Sequence, residues 1–282
     1  MQLLYDSRDD RYHQRLGSKI LDWLDDLDAI PLDEADPAIP GFLFAGARPI
    51  DDYRDLVAGH PLVRDGLEER EPLLRLDAVL AAVGRAGVKV PSPRTWVLSL
   101  DAPVSDDLTF PLFLRTAESS MKKGGHISRV GNAREFEDEA AELRRALGWD
   151  ATILAREWLD LEPAGDGHYG SVPQEVRVWV VDGVPTAWSF HYMQAVRNPR
   201  GFPPSTDDLA VLRRQAAAVG SGFRSRLVAA DFARGRDGTW WWIEAGPGSC
   251  AGTAHEQVFK AVASRLKGEV LAFEGDAVGG LL

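Results

Sequence analysis

The sequence predicts an α+β or α/β layered fold, in which strand hairpins are interleaved with amphipathic helices. Valines occupy every second position of residues 176–180, which is typical of a strand with one face in the core. Asp-Gly dipeptides at 182–183 and 237–238 each separate two apolar runs and indicate tight hairpin turns. Apolar residues at helical spacing, as in residues 73–83, indicate the helices.

The first half of the chain divides into an irregular stretch and a run of short elements. Five prolines interrupt residues 1–70, so we expect little regular structure there. Glu135 follows Asn132 at the spacing of a helix-capping box, and Gly87 is placed to end a helix. The predicted elements are a helix at 18–27, a strand at 42–45, a helix at 71–87, strands at 95–100 and 109–114, and a helix at 132–147.

The second half adds strands, loops and two helices. A strand is predicted at 152–159, followed by a loop through 165–167. The helices are expected at 205–219 and 253–266, and Thr253 with Glu256 would form a capping box. Residues 275–282 are expected to form a mobile tail.

The composition favours an enzyme with a sizeable core and argues against several other classes. The chain has 282 residues, and its 43 acidic and 32 basic residues give a formal charge of −11. This charge argues against a nucleic acid or an anionic membrane as the partner. No apolar run approaches about 18 residues and no signal-peptide pattern opens the chain, so we expect a cytoplasmic protein. Cys250 is the only cysteine, which excludes an internal disulfide, and we expect it to be a small buried residue.

Asp231 and Glu244 are the most informative residues, because the turn at 237–238 sets a register in which they face each other. Counting outwards from a two-residue type I′ turn places residue 232 opposite 243, and Asp231 opposite Glu244. The two carboxylates then share one face, with their Cβ atoms roughly 5 Å apart. Such a pair suits Mg²⁺, which takes few protein oxygens and completes its shell with water and phosphate.

The same face of this hairpin is expected to carry Leu227, Trp240 and Trp242. Large apolar side chains beside two acids favour the wall of a cleft. The alternative is a solvated edge hairpin whose acids face water.

Residues 110–129 concentrate cations in an otherwise acidic protein. Arg115 ends a predicted strand, and Lys122 and Lys123 precede two glycines. This suits a flexible lid that meets a polyanion, because glycine lets the backbone approach phosphate oxygens. A solvated loop is the alternative, and the chain has no P-loop motif.

Two further segments suit a nucleotide. Residues 153–162 form an apolar strand that runs into an acidic loop, where backbone groups can pair with a purine and a carboxylate with ribose hydroxyls. Glu175 and Arg177 stand on the strand face opposite the valines. An ordinary strand end and an exposed ion pair are the alternatives.

The order of these motifs resembles the ATP-grasp superfamily over roughly residues 71–267. The resemblance implies a nucleotide held between two α+β lobes. We therefore expect a short pre-ATP-grasp-like region at 1–94 and the nucleotide-binding and catalytic domain at 95–282. The six matching motifs are Pro111-Leu-Phe-Leu-Arg115, a glycine-bearing loop, Ala155-Arg-Glu-Trp-Leu159, the strand from Glu175 to Gly183, Asp231-Phe232, and Ile243-Glu-Ala-Gly-Pro-Gly248.

The resemblance implies a role for each candidate residue around ATP. Asp231 and Glu244 would bind the Mg²⁺ ions, and Arg177 would meet phosphate or an acyl-phosphate intermediate. The residues implied in nucleotide binding are the hinge Glu157, Trp158 and Leu159, whose backbone would read adenine, and Asp160 or Glu175, which would hold the ribose.

Two positions depart from the family pattern. Arg115 stands where the first phosphate-binding lysine is usual, which resembles a subgroup that supplies the lysine elsewhere, here from Lys122 or Lys123. Gly246 stands where an asparagine commonly follows the metal-binding glutamate. Glycine offers no side-chain oxygen, so a water or Ser249 would have to substitute.

The resemblance implies an ATP-dependent carboxylate–amine ligase that forms an acyl phosphate and releases ADP. The alternatives are a kinase of a small molecule, a nucleotide-binding protein with a degenerate site and, more weakly, a metal-dependent nuclease. The substrate is expected to be a small molecule or a peptide, bound by loops at 165–173 and 194–205, where Arg197 and Arg200 are able to hold a carboxylate. The N-terminal region would contribute either to the acceptor pocket or to a homodimer interface.

Overall fold

The computed structural model describes residues 1–8, 24, 26–46, 49–98, 107–117, 128–147, 152–167, 170–190, 204–251 and 256–268. The strands in these ranges are β1 (Gln2–Tyr5), β2 (Ile30–Pro31), β3 (Gly41–Phe44), β4 (Val63–Arg64), β5 (Thr95–Leu98), β6 (Leu112–Thr116), β7 (Arg129–Val130), β8 (Ile153–Glu157), β9 (Pro163–Gly167), β10 (Gly170–Pro173), β11 (Glu175–Val181), β12 (Val184–Phe190), β13 (Leu227–Arg234) and β14 (Trp240–Pro247). The helices are α1 (Ile50–Val57), α2 (Leu67–Arg70), α3 (Leu76–Arg85), α4 (Ala133–Leu147), α5 (Thr206–Gly220) and α6 (Glu256–Lys267). None of these helices is both long and apolar enough to cross a bilayer.

The N-terminal part of the chain forms a parallel sheet in the order β2-β1-β3-β4. The expectation of an irregular region is therefore wrong. The prolines stand at the ends of elements: Pro40 directly precedes β3, and Pro49 directly precedes α1. Proline is tolerated there because no interior hydrogen bond of a helix or strand is lost. Leu4 and Leu43 are buried in the core of this sheet.

A second sheet has the order β5-β8-β6-β7 and is antiparallel. Helix α4 covers one face, where Phe136 packs with Leu112 and Ile153. The capping box predicted for this helix is confirmed. Asn132 Oδ1 accepts a hydrogen bond from the backbone N–H of Glu135 at 3.0 Å, and a Glu135 carboxylate oxygen accepts one from the backbone N–H of residue 131 at 2.6 Å.

The third sheet, in the order β12-β11-β13-β14, is buried on both faces and forms the centre of the molecule. Val176, Val178 and Val180 pack on the side of α3 and α5, as the alternation predicts. On the other side, Trp179 and Val181 pack against α6 and the N-terminal sheet. Both faces of the central strands are therefore largely apolar.

The two Asp-Gly turns differ. Asp182 and Gly183 both have positive φ angles, of 49° and 77°, and join β11 to β12 in the predicted two-residue turn. In the second turn only Gly238 has a positive φ, of 85°, and the backbone N–H of Gly235 donates to the carbonyl oxygen of Thr239. This is a three-residue loop, so the predicted type I′ geometry is wrong there.

Several smaller expectations have clear outcomes. Residues 165–167 belong to the hairpin of β9 and β10, so the predicted loop is wrong. Helices α3, α4 and α5 begin and end close to their predicted bounds. The capping residue Thr253, most of the helix expected at 18–27 and the tail at 275–282 lie outside the described residues.

Candidate functional site

Four polar residues form a row across the central sheet. In register, Ser189 on β12 faces Arg177 on β11, Arg177 faces Asp231 on β13, and Asp231 faces Glu244 on β14. Residues directly opposite each other in antiparallel strands share a face. The predicted pairing of Asp231 with Glu244 is therefore confirmed, although the assumed path to it is not.

The pairing of the two acids depends on a bulge. The three-residue loop places Phe232 opposite Trp242, not opposite residue 243 as expected. The register then shifts between Asp231 and Phe232, so that Ile243 is an extra residue on β14. The shift in the loop and the shift at the bulge cancel, and Asp231 comes to face Glu244.

The bulge also decides which side chains accompany the acids. Leu227 lies on the face of Asp231, as expected. Trp240 and Trp242 pack on the opposite face with the valine core, so that part of the expectation is wrong. An extra residue moves all following side chains of a strand to the other face, and no period-2 count from the turn could include it.

Arg177 and Asp231 form a buried, bidentate ion pair. The Nε and a terminal nitrogen of Arg177 each donate to a different carboxylate oxygen of Asp231, both at 2.7 Å. The two side chains are only 11% and 3% exposed. Burial opposes the charged guanidinium, but the charge and hydrogen bonds of Asp231 prevail and raise the pKa of Arg177 above its ordinary value.

Arg115 connects the second sheet to the central sheet. Its guanidinium lies 2.5 Å from a carboxylate oxygen of Glu244, and its Nε donates to the backbone oxygen of Thr116 at 3.2 Å. The predicted cation therefore lies beside one of the two predicted metal ligands. Each acid of the pair is thus neutralised by an arginine.

Arg156 is a site residue that the sequence reasoning missed. It faces Phe113 on β6, so it shares a sheet face with Arg115, two residues further along that strand. Its Nε donates to Thr95 Oγ1 at 3.2 Å. Burial and the charge of Arg115 lower the pKa of Arg156 to about 9, while Glu244 acts in the opposite direction. The available signal was a lone arginine inside an otherwise apolar strand.

The predicted adenine hinge lies at the end of β8. The backbone N–H of Glu157 donates to the carbonyl oxygen of Arg94 at 2.8 Å, and that of Trp158 donates to Pro111 at 3.2 Å. Pro111 has no N–H with which to return a bond to the carbonyl of Trp158. Leu159 follows, outside the strand. The adenine-reading role of these three residues stays a prediction, with carbonyl oxygens as its best-placed groups.

The two acids considered for the ribose lie in different surroundings. Asp160 is 82% exposed, and it accepts a hydrogen bond from Arg236 Nε at 3.1 Å. Glu175 lies on the face of Arg177 and is close enough to raise its pKa. Both assignments stay predictions.

Some predicted residues cannot be placed. Lys122 and Lys123 lie outside the described residues, as do Arg197 and Arg200. Cys250 is partly buried, and its thiol donates to the carbonyl oxygen of Pro247 at 3.3 Å. Burial raises the pKa of this thiol, which disfavours the reactive thiolate.

The chemistry of the donors fits a magnesium ion that is held jointly with phosphate. Within the described ranges, no group of three or more His, Cys, Asp or Glu residues could hold a metal on its own. Mg²⁺ commonly takes one or two carboxylates and keeps water or substrate phosphate for the rest of its shell. The facing pair of Asp231 and Glu244 offers that set. Ser249, an expected substitute for the missing asparagine, instead accepts a hydrogen bond from Arg70 at 2.6 Å.

The sequence matches a known domain family over more than half of the chain. The family is described as an ATP-grasp domain, the third family of its clade, and the match covers residues 102–266. The matched range contains the arginine–carboxylate row and the hinge. The comparison with curated proteins gives no match.

Solved structures of the same architecture are similar to this chain at low sequence identity. D-alanine–D-alanine ligase from Bacillus anthracis in complex with ATP is 12% identical with a TM-score of 0.63, over 96% of this chain and 100% of that one. A RimK domain ATP-grasp protein from Sphaerobacter thermophilus is 15% identical with a TM-score of 0.62, over 96% and 100%. L-amino acid ligase from Bacillus licheniformis is 12% identical with a TM-score of 0.57, over 95% and 74%. The fold is therefore an ATP-grasp fold, as expected.

Proposed function

Because the chain belongs to the ATP-grasp domain family whose model it matches, we propose that it is an ATP-dependent carboxylate–amine ligase. The observation that carries the proposal is the facing pair of Asp231 and Glu244 in a cleft lined by arginines. Similar folds belong to proteins named as ligases of amino acids, which supports this reaction class.

Asp231 and Glu244 would hold Mg²⁺ through their carboxylate oxygens, together with phosphate oxygens of ATP. The bound metal would neutralise charge on the phosphates during transfer. A carboxylate at position 231 or 244 cannot serve an arginine and a metal equally well. Metal binding would therefore weaken the ion pairs that Arg177 and Arg115 now form.

Arg177 and Arg115 would then turn to the oxygens of the triphosphate or of the transferring group. A guanidinium presents a planar fork of donors that suits phosphate as well as carboxylate. Both side chains are largely buried, at 11% and 10% exposed, so their charges act in a medium with little screening. The preorganised charge would stabilise the transition state without requiring a side-chain nucleophile.

In the proposed reaction, a substrate carboxylate takes the γ-phosphoryl group of ATP, and ADP leaves. The amine of the second substrate then attacks the acyl phosphate, and an amide and inorganic phosphate are formed. Water must be excluded, because it would hydrolyse the acyl phosphate. The segment with Lys122 and Lys123 is the proposed lid and would add positive charge.

A nucleotide-binding protein with a degenerate site is the second candidate, and one observation favours it. Gly246 offers no oxygen, and the hydroxyl of Ser249 is bonded to Arg70 and Asp65. The metal would then depend on Asp231 and Glu244 alone. A small-molecule kinase would use the same site with a hydroxyl as acceptor.

The test is ADP release from ATP and Mg²⁺ with pools of amino acids and short peptides. We expect release that needs both a carboxylate and an amine, and trapping by hydroxylamine as a hydroxamate. Glu244→Gln should abolish it, whereas Glu68→Gln should not, because Glu68 is 83% exposed on α2. ADP release that needs a hydroxyl acceptor would indicate the kinase. ATP binding without any release would indicate the degenerate site.

A further inference from the structure

Arg156 carries a buried donor that the fold itself does not satisfy. The residue is 3% exposed, and one terminal guanidinium nitrogen is buried without a hydrogen-bond partner among the described residues. The Nε is bonded to Thr95 Oγ1, whose own hydroxyl donates to the carbonyl of Pro93 at 3.0 Å. The guanidinium is therefore anchored at one end and unsatisfied at the other.

The position of Arg156 makes a purely structural role a poor explanation. A buried donor without a partner costs about 1–3 kcal/mol, and more when the group is charged. An apolar side chain of similar volume would fill the same space without that penalty. The arginine instead stands on the face that the second sheet turns towards Glu244, between the hinge and Arg115.

We propose that Arg156 is a second phosphate-binding arginine, whose unsatisfied nitrogen donates to an oxygen of the nucleotide diphosphate alongside Arg115. The proposal rests on the nucleotide site proposed above and adds a binding residue to it. Two guanidinium groups on one face can hold neighbouring phosphate oxygens.

A phosphate explains the observations better than a purine nitrogen does. A neutral acceptor would satisfy the donor but leave the buried charge of Arg156 without compensation. The nearest acid, Glu244, is already bonded to Arg115 and is a proposed metal ligand. An anionic oxygen supplies both the missing hydrogen bond and the missing negative charge.

The experiment is calorimetry of ADP and of adenosine without Mg²⁺, with wild type, Arg156→Met and Arg156→Lys. We expect Arg156→Met to bind ADP about tenfold to a hundredfold more weakly, because one charge-assisted hydrogen bond is lost. Adenosine should bind equally to all proteins. Arg156→Lys should recover part of the ADP affinity, because the charge remains. The unliganded Arg156→Met protein should unfold at the same or a higher denaturant concentration.

The matched control is Arg94→Met. Arg94 sits at the start of the neighbouring strand, is 57% exposed and pairs with Asp107, so its loss should leave ADP affinity unchanged. Equal ADP affinity of wild type and Arg156→Met would overturn the phosphate role while leaving the nucleotide site intact. An equal loss of ADP and adenosine affinity would overturn it too. A wild type that binds neither ADP nor ATP would remove the proposed function as well, whereas ADP binding without amide formation would remove only the ligase assignment.

Discussion

Arg177 and Asp231 face each other on neighbouring central strands and share two hydrogen bonds of 2.7 Å. Asp231 is 2% exposed, so this carboxylate has exchanged water for a single guanidinium. The same carboxylate is a proposed ligand of Mg²⁺. Stability and metal binding are therefore coupled through one residue.

Loss of Arg177 should strongly destabilise the protein. In Arg177→Ala the charge of Asp231 stays buried without its partner, and breaking a buried pair in this way costs about 3–5 kcal/mol. Removing both charges in Arg177→Ala/Asp231→Ala should cost less than Arg177→Ala alone. Urea unfolding followed by circular dichroism measures both differences.

The control for this cycle is an exposed pair on α1. Arg54 and Asp51 are bonded to each other but are 57% and 77% exposed, so Arg54→Ala should cost less than about 1 kcal/mol. A cost for Arg177→Ala that is no larger than the cost for Arg54→Ala would contradict the importance of the buried pair.

An asparagine at position 246 should strengthen metal binding. Gly246 lies two residues after Glu244 on the same strand, with no bulge between them, so its side chain would share the face of the acids. A Cβ added there meets only the backbone oxygen of Leu73, at 4.0 Å, so there is space for it. We expect Gly246→Asn to lower the Mg²⁺ concentration needed for half-maximal ATP binding by about tenfold.

Gly248→Asn is the matched contrast. A Cβ at position 248 would overlap the side chain of Leu227 in the core, so this variant should lose stability without gaining Mg²⁺ affinity. If Gly246→Asn folds but leaves the Mg²⁺ dependence unchanged, position 246 does not face the metal.

The buried Asp65 should make stability depend on pH. Burial raises the pKa of Asp65 from 3.8 to about 6, against the hydrogen bonds from Ser225 and the charge of Arg70. The folded protein therefore binds a proton more tightly than the unfolded chain does. The resulting stabilisation is complete below about pH 4 and is lost as the pH rises through about 6, and it amounts to about 3 kcal/mol.

Asp65→Asn isolates this contribution, because asparagine does not titrate and tolerates the positive φ of 67° at this position. Its free energy of unfolding relative to wild type should rise by about 3 kcal/mol between pH 4 and pH 7. Asp51→Asn, at an exposed acid, is the control and should show no such rise. A difference between Asp65→Asn and wild type that does not change with pH would contradict the raised pKa.

Local patterns predicted much of the fold correctly. The valine alternation, the Asp182-Gly183 turn and the Asn132 cap each depend on residues close together in sequence. The N-terminal sheet was missed because its parallel strands pair across long intervening segments, which leave no short-range signal.

The candidate site was only partly predictable. The pairing of Asp231 with Glu244 followed from the turn, but the loop length and the bulge were both misjudged. Neither the bulge at Ile243 nor the contact of Arg115 with Glu244 has a local sequence signature. The latter joins two sheets, and only tertiary packing determines it.

The most direct test of the proposed metal site is calorimetry of ATP with Mg²⁺ and with EDTA, for wild type, Asp231→Asn and Glu244→Gln. We predict that Mg²⁺ tightens ATP binding by wild type and that either substitution removes this gain, while Glu68→Gln retains it. Variants that keep the full Mg²⁺-dependent gain would contradict the assignment of Asp231 and Glu244 as the residues that hold magnesium for ATP.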